Sequence, residues 1–72
     1  MHRITTDAEI MGGQPCIRGL RIPVSLIVKL TAHGKTSKEI LADYPELEME
    51  DITQALEYAS WTVSEKSLPV TP

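Results

Sequence analysis

The stretch GGQPCIRGLRIPV, residues 12–24, decides how the chain enters its first helix. Within thirteen positions it holds three glycines, two prolines, two arginines and the only cysteine of the chain. Glycine tolerates left-handed backbone and proline fixes φ, so this composition is typical of folded turns. The residues on which we predict the turn depends are Gly12, Gly13, Pro15, Gly19 and Pro23.

A short β-hairpin is predicted on the N-terminal side, within residues 1–22. Residues 2–5 alternate weakly between polar and apolar side chains, and residues 16–18 read as a second strand. Because Pro15 has no backbone N–H to donate, the second strand is limited to a sheet edge or begins there.

The first helix is predicted over residues 24–33. Pro23 suits the entry of a helix, where its missing N–H costs nothing. Apolar residues at helical spacing follow it, and Gly34 stands where a left-handed cap would end the helix.

Two further helices follow along the chain. Residues 37–44 begin with a capping box, in which Thr36 and Glu39 bond each other's backbone N–H groups, and they end before Pro45. Residues 49–64 carry an apolar stripe at helical spacing, formed by Ile52, Ala55, Leu56, Ala59 and Val63.

Together these elements predict a mainly α fold. We expect a three-helix, helix-turn-helix-like (homeodomain-like) bundle with a short N-terminal β-hairpin, in a single domain that covers residues 1–66. Residues 67–72 contain two prolines and no helix cap, so we expect them to form a flexible tail.

Length and composition restrict the class of protein. In a chain of 72 residues, folding buries only roughly 60% of the surface, so the core is small and we expect a homodimer or another complex. One cysteine permits no internal disulfide, which fits a reducing compartment. No apolar run approaches the roughly 18 residues of a membrane span, and the N-terminus lacks the apolar stretch of a signal peptide. A cytoplasmic protein without membrane contact is expected.

Charge is divided unevenly along the chain. Residues 1–38 hold six basic and two acidic side chains, whereas residues 39–72 hold one basic and eight acidic ones. Carboxylates gather at the start of the third helix, where the helix dipole favours them and where they would repel DNA phosphates. We interpret them as stabilisers of the helix rather than as DNA-contacting groups. DNA contact would instead fall to a basic edge made by Arg3, Arg18, Arg21, Lys29, Lys35 and Lys38.

No catalytic, cofactor or metal site is predicted. The glycine-rich stretch lacks both the Gly-Lys-Ser/Thr ending of a phosphate loop and the Gly-x-Gly-x-x-Gly pattern of a dinucleotide site. Cys16 is interpreted as a small buried hydrophobic residue, and together with His2 and His33 it lacks the spacing of metal ligands. We therefore expect that the protein is not an enzyme.

The run GGQPCIRGLRIPV, with HGKTSKEILADYPELEMEDITQALEYA at residues 33–59, resembles the bacterial domain-of-unknown-function family numbered 433. The resemblance extends from about Ile4 to Trp61. It implies a small helical domain related to helix-turn-helix proteins, with an N-terminal β-hairpin. It also implies an antitoxin that is paired with a PIN-like nuclease toxin. The family pattern usually has threonine where this chain has Leu20 and Glu48.

Two roles are open for Arg18 and Arg21, which flank Gly19. In the first, one arginine bridges to a helix carboxylate such as Glu39 or Asp43 and pins the hairpin to the helices. In the second, which the resemblance implies, an arginine enters the carboxylate cluster that holds the metal ion of a PIN-like nuclease and displaces the ion.

A second candidate binding surface is aromatic. Tyr58 and Trp61 are three residues apart, so they lie together on the flank of the third helix, beside its apolar stripe. They either cover the small core or form, with Leu68 and Val70 of the tail, a surface for self-association or toxin binding.

Three functions follow as expectations. The leading one is an antitoxin that neutralises a PIN-like ribonuclease from an adjacent gene by forming a stoichiometric complex. The alternatives are a helix-turn-helix-type DNA-binding autoregulator and a small structural module without a toxin partner.

Overall fold

Three helices and a two-stranded antiparallel hairpin make up the fold, as the sequence predicts. The computed structural model describes residues 2–65, with side chains through residue 63. The strands are β1 (Ile4–Thr5) and β2 (Cys16–Ile17), and the helices are α1 (Val24–Ala32), α2 (Ser37–Asp43) and α3 (Met49–Glu65). In this part of the chain, no helix is long and apolar enough to cross a membrane.

The hairpin pairs Ile4 with Ile17 and Thr5 with Cys16. A tight turn follows β2, in which the N–H of Leu20 donates to the carbonyl of Ile17 at 2.7 Å. The two central residues of this turn both have positive φ, 44° at Arg18 and 71° at the glycine after it. Two positive φ values in succession are the mark of a type I′ turn, whose twist suits a hairpin.

The ends of α1 are set by Pro23 and Gly34. Pro23 is the N-cap, with extended backbone and a ψ of 152°, so it stands at the entry of the helix as predicted, and α1 begins at Val24. Gly34 has a φ of 89° and donates its N–H to the carbonyl of Thr31, while Lys35 donates to that of Leu30. These two bonds form a Schellman motif, so the predicted glycine cap is confirmed.

The predicted capping box at the start of α2 is also confirmed. Thr36 accepts from the N–H of Glu39 at 3.1 Å, and the Glu39 carboxylate accepts from the N–H of Thr36 at 2.9 Å. The helix ends at Asp43, and Tyr44 before the proline has non-helical backbone.

The core is small and aliphatic. The most extensive packing is between α1 and α3, and β1 also packs on α3. Cys16 is 2% exposed, which confirms its interpretation as a buried hydrophobic residue. The buried apolar side chains of the main cluster are Ile17, Ile22, Val24, Ile27, Ile40, Leu47, Ile52 and Ala55.

The boundaries of the helices differ from the predicted ones by single residues, whereas β1 begins two residues later than the predicted strand over residues 2–5, and β2 ends one residue before the predicted 16–18. The predictions for α1 (24–33) and α2 (37–44) extend one residue too far, and the prediction for α3 (49–64) stops one residue short. The predicted flexible tail, residues 67–72, lies outside the described residues.

Candidate functional site

A fully buried carboxylate lies at the start of α3. Asp51 is the third residue of the helix and its side chain has no exposed surface. Arg18 binds it through two parallel hydrogen bonds, from Nε to Oδ1 and from Nη2 to Oδ2, each 3.0 Å long. Such a bidentate pair is the strongest geometry that an arginine and a carboxylate can form.

Two further donors complete the coordination of Asp51. Arg3 donates from Nη1 to Oδ1 at 3.0 Å, and the backbone N–H of Glu48 donates to Oδ2 at 2.8 Å. Arg3 Nη1 also lies 2.6 Å from the exposed Glu48 carboxylate. We call Arg3, Arg18, Glu48 and Asp51 the Asp51 cluster. Through it the hairpin, the turn before α3 and α3 itself are joined.

The hydrogen bonds of the Asp51 cluster determine the protonation of its carboxyl group. Burial alone would raise the pKa of Asp51, because the charged form loses hydration. The bonds from Arg18, from the Glu48 N–H and from Arg3 outweigh burial and lower the pKa from 3.8 to about 2. Asp51 is therefore a carboxylate at any pH near neutrality and has no proton to donate.

The structure corrects the predicted partner of the pinning arginine. Arg18 does join the hairpin to a helix, but through Asp51 rather than Glu39 or Asp43. Glu39 belongs to the α2 capping box, and Asp43 lies 3.5 Å from Lys35. The physical reason is that the hairpin packs on α3, so its arginines reach the start of that helix.

The interpretation of the acidic start of α3 is confirmed for Asp51. Its carboxylate accepts the N–H of Glu48, the residue that precedes the helix, as the N3 acid of a capping box does. The sequence signal for this role was an acidic residue three positions after the helix boundary. Nothing in the sequence indicated that the same carboxylate would also receive two arginines from the hairpin.

Arg21 differs from Arg18 in its surroundings. It is exposed on the segment between the Arg18-Gly19 turn and Pro23. Within residues 2–63, no hydrogen bond or ion pair engages its guanidinium group. The other described residues thus occupy none of its five N–H donors.

The residues predicted to contact DNA do not act as one group. Arg3 is engaged in the Asp51 cluster, with a side chain 22% exposed. Lys29, Lys35 and Lys38 are exposed on α1, on the turn after it and on α2. With Arg21, these lysines are the members of the predicted edge that lie outside the Asp51 cluster, and Lys35 lies 3.5 Å from Asp43.

Tyr58 and Trp61, the two aromatic residues of α3, differ in how far their side chains are buried. Their ring centroids are 6.0 Å apart. Tyr58 is half-buried against the core, whereas Trp61 is 53% exposed. The two other residues that were assigned to this surface, Leu68 and Val70, lie outside the described residues.

An apolar groove runs between the beginning of α1 and the last turns of α3. Its rim includes Val63, which is 71% exposed. Lys29 is the one charged side chain among the described residues that line it. The apolar lining is formed by Pro15, Val24, Val28, Tyr58, Ala59 and Val63.

The described residues offer no metal centre. Across residues 2–65, no three His, Cys, Asp or Glu side chains lie together in an arrangement that could hold a metal ion. The groups that this surface presents are a guanidinium group, lysines and an apolar groove.

The chain is similar to known proteins both in sequence and in structure. Residues 4–59 match the family model described as "Protein of unknown function (DUF433)". The chain is 36% identical over 56 residues to the uncharacterized protein y4eO of Sinorhizobium fredii, and this covers 78% of the chain but 25% of that protein. The crystal structure of a DUF433 member protein from Anabaena variabilis superposes with a TM-score of 0.81 at 36% identity, covering 88% of this chain and 62% of that one. The chain thus corresponds to part of the length of both relatives.

Proposed function

The chain belongs to the DUF433 family of proteins of unknown function, and from this premise we propose that it is an antitoxin. In this proposal it binds a PIN-like ribonuclease toxin, the product of an adjacent gene, and neutralises it in a stoichiometric complex. The family resemblance suggests the partner, and the chain's own surface suggests how inhibition would work.

The observation that carries the proposal is the difference between the two arginines of the hairpin. Arg18 is held by Asp51 and by the carbonyl of Glu46, which accepts from Nη2 at 2.8 Å. Arg21 stands three residues further on, exposed and without a partner among the described side chains. The first arginine fixes the hairpin on α3, and the second is presented to a partner.

An exposed guanidinium group suits a carboxylate-rich target. A PIN-like nuclease holds its metal ion with a cluster of carboxylates, and the planar guanidinium of arginine binds carboxylates bidentately. When Arg21 enters that cluster, its positive charge replaces the charge of the metal ion. The nuclease then lacks the ion that activates water for phosphodiester hydrolysis.

The test is co-expression with the product of the adjacent reading frame, followed by purification and an RNase assay of the complex. Arg21→Ala is expected to keep the protein folded and to release nuclease activity. Arg21→Lys retains the charge but not the bidentate geometry, so we expect partial inhibition. Full inhibition by Arg21→Ala would contradict the arginine mechanism, and failure of the wild-type protein to form a complex would contradict the antitoxin function.

A second candidate function rests on the exposed lysines of α1, of α2 and of the turn between them. Lys29, Lys35 and Lys38 could contact DNA phosphates in an autoregulatory complex, alone or with the toxin. The start of α3 is unsuited to that role because Glu48 and Glu50 are exposed there. A mobility-shift assay with the protein's own promoter, repeated over a range of salt concentrations, tests this function. Binding that is absent at low salt would contradict it.

A further inference from the structure

The groove between α1 and α3 has the form of a helix-binding site. Each wall is a helix that presents apolar residues one turn apart, Val24 and Val28 on α1 and Ala59 and Val63 on α3. An amphipathic helix with apolar residues at three- and four-residue spacing packs into such a groove, as in other helix-in-groove complexes. Tyr58 adds an aromatic surface to the groove.

Charge on the groove indicates the chemistry of the occupant. Lys29 is the charged residue of the lining, and no described carboxylate lies within 4.0 Å of its ammonium group. A helix whose apolar face fills the groove would bring one edge beside Lys29. A carboxylate on that edge complements the lysine, whereas a basic residue there is repelled.

We propose that this groove binds an amphipathic helix of the partner nuclease, which carries an acidic residue beside its apolar face to meet Lys29. The inference rests on the proposed antitoxin function and assigns it a second contact. Docking in the groove supplies affinity, while Arg21 acts on the nuclease site. In this proposal the groove therefore determines how tightly the nuclease is bound, and Arg21 determines whether the bound nuclease is inhibited.

The experiment measures the affinity of the purified product of the adjacent reading frame by titration calorimetry. Val63→Asp changes a residue that is 71% exposed, so the fold is retained, and Lys29→Glu reverses the charge at the groove. Each is expected to weaken binding by about tenfold or more, because Val63→Asp sets an unpaired charge against the apolar face of the bound helix and Lys29→Glu sets a like charge beside its acidic residue. Two matched controls place the same changes away from the groove, Ser60→Asp on α3 and Lys38→Glu on α2, and are expected to change affinity less than about threefold.

The outcomes distinguish this inference from the function on which it rests. If the wild-type protein binds the nuclease and the two groove variants bind equally well, the groove inference is overturned and the antitoxin function stands. If the wild-type protein does not bind, both are overturned. If Arg21→Ala binds with wild-type affinity but does not inhibit, the separation of the two contacts is supported.

Two other occupants would also overturn the inference, and each has its own signature. A second copy of the chain occupies the groove if Val63→Asp halves the mass of the free protein in light scattering. Residues 66–72 of the same chain occupy it if their deletion lowers the melting temperature of the wild-type protein but not of Val63→Asp.

Discussion

The two ends of α3 differ in charge and in burial. At its N-terminal end, the fully buried Asp51 receives four hydrogen bonds from Arg3, Arg18 and the Glu48 backbone. At its C-terminal end, Trp61 and the valine two residues later expose much of their apolar surface. The same helix thus begins with a buried carboxylate that is fully hydrogen-bonded. It ends with apolar side chains that the described residues leave exposed.

This difference indicates that the two ends of α3 contribute to different properties of the chain: the first to the stability of the fold, the second to its exposed apolar surface. A small core stabilises the fold weakly, so the hairpin is fixed by a charged cluster whose disruption leaves a buried charge. The exposed apolar side chains, which we propose as binding surface, lie at the opposite end of the same helix, away from the cluster. Substitutions at the two ends should therefore affect different measurements.

The largest effect is expected for Asp51→Asn. The substitution removes the negative charge that both guanidinium groups face, so it leaves partly buried arginines without their partner. We expect the free energy of unfolding to fall by about 2–3 kcal/mol, because charge-assisted hydrogen bonds are lost while the arginines, 22% and 38% exposed, regain water. Urea denaturation measures the loss. Asp43→Asn, which breaks the exposed pair with Lys35, is the control and should cost less than about 1 kcal/mol. A loss as small as that at Asp51 would contradict the role of the cluster.

Removal of Arg18 should have the next largest effect. Arg18→Ala deletes the bidentate pair but leaves Asp51 its bonds from Arg3 and from the Glu48 N–H, so we expect a smaller loss of stability than for Asp51→Asn. The residue also has a φ of 44°, which is unfavourable for any residue except glycine. Arg18→Gly should therefore be more stable than Arg18→Ala by about 1 kcal/mol. Arg21→Ala is the matched control and should change stability by less than about 0.5 kcal/mol. Equal losses at both arginines would remove the distinction on which the proposed inhibition depends.

Low pH should reduce the stability that the Asp51 cluster contributes at the start of α3. Because the pKa of Asp51 is lowered from 3.8 to about 2 in the folded state, its contribution is present above pH 3.8 and is lost as the pH falls toward 2. A difference of that size corresponds to about 2 kcal/mol. Other carboxylates titrate in the same range, so the informative quantity is the stability gap between the wild-type protein and Asp51→Asn. It should shrink by about 2 kcal/mol between pH 5 and pH 2, and a constant gap would contradict the assignment.

The sequence was sufficient for the local structure. The caps of α1 and α2 depend on residues next to the helix ends, so Thr36, Glu39 and Gly34 could be assigned without knowledge of tertiary contacts. The partner of Arg18 could not be assigned, since it is 33 residues away and depends on which helix the hairpin packs against. The groove could not be predicted for the same reason. Val28 and Val63 belong to different helices, and they line one groove only in the folded chain.

The smallest effect on stability is expected for Trp61→Ala, at the exposed end of α3. The ring is 53% exposed and its described aromatic contact is with Tyr58, so the loss should not exceed about 1 kcal/mol. If the ring instead serves self-association, light scattering should report a dimer for the wild-type protein and a monomer for the variant. Trp61 does not line the groove, so this measurement is independent of nuclease docking. An unchanged mass would exclude dimerisation through Trp61, and a stability loss as large as that of Asp51→Asn would show that both ends of the helix serve the fold.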